Sequence, residues 1–67
     1  MSEKVLRKII SENVTKNSNE IDEICEFINN PRCAVDIETL TEHINYVTGM
    51  DKYDAAFVAA TLLTKMK

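Results

Sequence analysis

The sequence predicts an all-α protein: a compact bundle of four short helices over residues 3–13, 18–29, 37–48 and 52–66. Three observations predict it. Apolar residues recur at three- and four-residue spacing in each segment. Polar, turn-prone runs separate the segments, Asn13-Val-Thr-Lys-Asn-Ser-Asn19 and Asn29-Asn-Pro-Arg32 among them. Each segment also starts behind a residue suited to capping a helix. At 67 residues the chain forms one domain, residues 1–67.

Ser2 is placed to cap the first helix. Val5, Leu6, Ile9 and Ile10 fall on one face of it, and Lys4, Arg7, Lys8 and Ser11 on the other. Asn17, with Glu20 three residues on, reads as a capping box for the second helix. There Ile21, Ile24, Cys25 and Ile28 make the apolar stripe and Phe27 its edge, with Asp22, Glu23, Glu26 and Asn29 outside. Pro31 disfavours the helical conformation at Asn30 and stops the helix. Cys33-Ala34-Val35 is expected to tuck into the core as a short apolar bridge.

Asp36 caps the third helix. Its buried stripe is read as Ile37, Leu40, Ile44 and Val47, and Tyr46 falls opposite it. Gly49, the only glycine, stands where a left-handed residue ends a helix. Asp51 caps the fourth helix and Asp54 supports its first turn. Ala55, Ala56, Val58, Ala59, Ala60, Leu62, Leu63 and Met66 cover well over half of that helix, and Tyr53 and Phe57 widen the arc. Such a helix must be covered from several sides, so it is expected to be the most buried of the four.

The net charge of −3 is unevenly spread. Residues 18–51 hold eight acidic side chains against Arg32 alone, between two mildly basic ends. Phosphate backbones repel such a middle, so nucleic acid is a poor partner and a basic protein surface a better one. No apolar run approaches the roughly 20 residues of a membrane span. The charged N-terminal residues do not read as a secretory signal, so an intracellular, cytoplasmic chain with reduced thiols is expected. The glycosylation sequon at Asn13 then carries no meaning.

No cofactor or metal is expected. Cys25, Cys33 and His43 offer zinc-type ligands, but without a CxxC pair or an evident fourth ligand. A thiol-imidazole catalytic pair would need a third group and a cleft. The chain also lacks a glycine-rich phosphate loop, and an enzyme is not expected.

Ile44-Asn45, Val47-Thr48-Gly49-Met50, Lys52, Asp54-Ala55, Val58 and Leu62 together are similar to the helical hairpin that opens the HU/IHF family of DNA-bending proteins. That resemblance implies a dimerising hairpin. The basic β-saddle and arms that hold DNA in that family have no counterpart among these residues. The small acidic four-helix profile also resembles acyl carrier proteins, but their Asp-Ser-Leu attachment motif is absent.

The expected function is a small protein-protein interaction module, a regulator or inhibitor of a partner protein, of the kind accessory or virus-encoded proteins supply. Glu23, Glu26, Glu42 and Tyr46 are the expected partner contacts. Because a core this small rarely supplies more than about 3–5 kcal/mol, self-association is expected as a staple. A homodimer through Ala55, Ala59, Leu62 and Met66 is its expected form. The alternative is a nucleic-acid-associated regulator using the third and fourth helices as a hairpin.

Overall fold

Four helices carry the chain in the computed structural model, which describes residues 3–32 and 35–66. They are α1 (Glu3–Asn13), α2 (Ser18–Asn29), α3 (Ile37–Thr48) and α4 (Lys52–Lys65). These are the helices the periodicity predicts, with α4 ending one residue earlier. The Ser2 cap and the Cys33-Ala34 part of the apolar bridge lie outside the described residues. Val35, next to them, is half-buried against the core.

Local chemistry explains where α2, α3 and α4 begin and where α3 ends. At the start of α2, Asn17 Oδ1 accepts the backbone N–H groups of Asn19 and Glu20. The expected reciprocal contact from Glu20 does not form. The Glu20 carboxylate instead accepts the Thr15 hydroxyl at 2.6 Å, and the Asn17 N–H donates to Thr15 Oγ1 at 3.1 Å. Thr15 thus stands between the two halves of the box. At α3 the box is complete, with Asp36 and Thr39 as its members. The Thr39 N–H and hydroxyl, donating to Asp36, hold its carboxyl below the usual range.

The turn between α3 and α4 is closed on both sides. Gly49 adopts φ 73° and ψ 9°, and its N–H donates to Asn45 O, ending α3 in a left-handed residue. The Asn45 side-chain amide donates to Met50 O, and Thr48 Oγ1 accepts the Met50 N–H. Asp51 then accepts the Tyr53 N–H to open α4.

The four helices form a ring in chain order. α1 packs on α2 and α4, and α3 packs on α2 and α4, with α3 against α4 the most extensive contact. Among the described residues, the backbones of α2 and α4 do not come close; the two helices are diagonal across the bundle. The core between them is Leu6 and Ile10 of α1, Ile21, Ile24 and Cys25 of α2, Leu40 and Ile44 of α3, and Ala55, Ala59 and Leu62 of α4. It holds no buried polar side chain among the described residues. Burial of apolar surface therefore holds the helices together, with little polar specification from within.

The depth of burial departs from the predicted stripes in three places. Val5 is 48% exposed and Ile37 46%. Both stand in the first turn of their helices. Cα–Cβ bonds lean toward a helix N-terminus, so first-turn side chains project past the helix end rather than over a packed turn. The third departure is in α4. Its inner face is fully enclosed: Ala55, Ala59 and Leu62 are each 0% exposed. Its outer face is not covered, and Tyr53 and Phe57 lie in the open.

Candidate functional site

The acidic stripe of α2 runs along a groove against α3. Glu20, Glu23 and Glu26 follow one another at three-residue spacing, which keeps them on one side of α2 with about 4.5 Å of rise between neighbours. Two shallow depressions meet at Glu23. One is lined by Asn19, Glu20, Glu23, Tyr46 and Val47. The other is lined by Glu23, Glu26, Phe27, Asn30 and His43. Three carboxylates and no lysine or arginine enter these linings, so the groove is an uncompensated acidic surface.

The α3 wall is aromatic. The rings of Phe27 and His43 stack across the two helices, with centroids 4.1 Å apart and planes 10° apart. His43 Nε2 lies 3.4 Å from Glu23 O, which orients the ring along α2. One turn further along α3, Tyr46 stands 86% exposed. An amphipathic ring held out beside carboxylates is suited to contacting a protein chain, since tyrosine covers area with few rotatable bonds.

Of the expected partner contacts, the structure brings Glu23, Glu26 and Tyr46 together on this groove. Glu42 is exposed on α3 but lines neither depression. Of the expected self-association contacts, Ala55, Ala59 and Leu62 are enclosed in the core, and Met66 is half-buried against it. Ala55, Ala59 and Leu62 cannot meet a second chain while the bundle is closed. The physical reason is the packing of α3 and α1 on that face of α4.

The sequence reading missed two features. The Phe27–His43 stack needs the relative height of α2 and α3, which no local pattern encodes. The exposure of Tyr53 and Phe57 was obscured by counting them with the apolar arc. Both lie about 120–180° around the helix from Ala59 and Leu62, so once packing selects those two the rings face outward.

A further polar depression lies between α1 and α2, lined by Glu3, Arg7, Asp22, Cys25, Glu26, Asn29 and Asn30. Arg7 and Asp22 form an ion pair there, which raises the Arg7 pKa. Both partners are well exposed to solvent, where such pairs contribute little to stability. Cys25 carries a free thiol at the floor of this depression. Burial pushes its pKa up, which disfavours the nucleophilic thiolate. Among the described residues, no three His, Cys, Asp or Glu side chains are placed to hold a metal ion. Nor is any helix long and apolar enough to cross a membrane.

Fold and groove together define a small all-α bundle that presents an acidic, aromatic-walled surface. No family model, curated protein or solved structure matches the chain.

Proposed function

We propose that the protein is a small interaction module whose α2–α3 groove binds a basic segment of a partner protein and so regulates or inhibits that partner. The observation that carries this reading is Tyr46, 86% exposed, beside a groove with three carboxylates and no cation in its lining. Clustered carboxylates steer a cationic partner and set its register. A central tyrosine supplies the contact area that charge alone does not, and tyrosines are enriched among residues that dominate binding energy.

Affinity capture from the native cell tests the reading. The bait is compared with its Glu23→Lys/Glu26→Lys and Tyr46→Ala variants. All three side chains are exposed, so circular dichroism of the variants matches the parent. The charge reversal abolishes retention of the specific partner, and retention by the parent falls as salt is raised. Tyr46→Ala weakens the complex by about 2 kcal/mol or more. Equal retention by the parent and the reversed protein rejects the groove as the contact. Salt-sensitive binding of DNA by the parent would instead favour a nucleic-acid role for the α3–α4 hairpin, although Asp51 and Asp54 sit exposed at the start of α4.

A further inference from the structure

The outer face of α4 has a two-part build. Its N-terminal half carries large rings: Tyr53 is 87% exposed and Phe57 76%. Its C-terminal half carries small side chains, and Phe57, Ala60, Thr61, Thr64 and Lys65 line a shallow, mostly apolar depression there. The Thr61 hydroxyl donates to Phe57 O at 3.0 Å and the Thr64 hydroxyl to Ala60 O at 2.9 Å. Both donors are satisfied within their own helix, so covering this surface strands neither of them. The face thus holds the bulk at one end and the space for it at the other.

The charges follow the same plan. Asp54 and Lys65 are eleven residues, or about three turns, apart, which puts them on one flank of the helix. Both are exposed. A two-fold axis perpendicular to the helix keeps each flank on its own side and reverses its direction. Two copies related in that way bring Asp54 of each opposite Lys65 of the other. The same operation lays Tyr53 and Phe57 over the small-residue depression of the second chain. A parallel pair would put the two flanks on opposite sides and match neither.

We infer that the outer face of α4 pairs with the same face of a second copy, antiparallel, about an axis level with Ala59 and Ala60. Four aromatic rings of about 150–250 Å² each supply most of the contact. With the Ala60, Thr61 and Thr64 surfaces, the total comes to roughly 1,200 Å², the lower edge of specific interfaces. An interface at this lower edge is weak and reversible.

Sedimentation equilibrium from low micromolar to near-millimolar concentration tests this, with circular dichroism of dilute samples to verify folding. The parent chain shows a monomer–dimer equilibrium. Phe57→Glu stays folded, because Phe57 is exposed in the single chain, and weakens the dimer by about a hundredfold, since symmetry makes the substitution count twice. Asp54→Lys and Lys65→Asp each weaken it several-fold, and the double variant, which restores opposite charges across the axis, recovers the parent affinity. A parent chain that stays monomeric throughout overturns the proposal, as does a dimer indifferent to Phe57→Glu. A double variant no tighter than the single ones overturns the antiparallel arrangement.

Discussion

At the scale of single residues, Gly49 shows most directly how the chain's turns depend on side-chain chemistry. Its φ of 73° is left-handed, yet a Cβ added there would meet no atom within 4 Å. Substitution therefore strains the backbone without a clash. Gly49→Ala is expected to cost about 1–2 kcal/mol, the left-handed penalty of an ordinary L-residue. Gly49→Asn costs less, because asparagine tolerates that region. Urea unfolding of the three proteins measures the order directly. Asn17, Asp36, Gly49 and Asp51 were all legible in the sequence, because capping is settled within a few residues. The Glu20 contact was not, because Thr15 lies outside the four-residue frame of the capping box and competes for the carboxylate.

At the scale of the helix, periodicity reports the direction of a side chain but not its depth. Ile37 and Ile44 belong to one predicted stripe of α3, yet Ile44 is 0% exposed and Ile37 nearly half exposed. Ile44→Ala leaves a cavity among packed neighbours and should cost about 2–5 kcal/mol. In a domain of this size that approaches the whole stability, so the variant is expected to be largely unfolded at 37 °C, where helices of this length do not persist alone. Ile37→Ala leaves a folded protein with a small drop in melting temperature. Thermal denaturation followed by circular dichroism separates the two. α4 makes the same point more strongly. Its apolar residues surround it, so its sequence names no single buried side, and only packing against α1 and α3 selects Ala55, Ala59 and Leu62.

At the scale of the whole molecule, the ring order of the helices separates the two exposed surfaces. The acidic groove is built on α2 and α3, while the Tyr53–Phe57 face is the outer side of α4, which lies diagonal to α2. The two surfaces share no residue, so substitutions on them should act independently. Phe57→Glu is expected to keep the partner affinity of the parent chain. Glu23→Lys/Glu26→Lys is expected to keep its monomer–dimer equilibrium. Binding and sedimentation measurements on both variants check this, and a loss of both functions in either variant would show the two surfaces to be coupled.

The sequence by itself determined the all-α class, the four helices and their bounds to within a residue, the caps at Asn17, Asp36, Gly49 and Asp51, and the exposure of Tyr46. These are decided by short-range backbone and side-chain chemistry, which the chain carries within a few positions of each residue. It also placed Glu23 and Glu26 on an outward face. Only the tertiary structure joined them to Tyr46 along one groove, stacked Phe27 on His43, enclosed Ala55, Ala59 and Leu62, and left Tyr53 and Phe57 uncovered. Each of those outcomes depends on which helix lies beside which. That choice is made by burying apolar surface across the whole bundle, between residues distant in the chain.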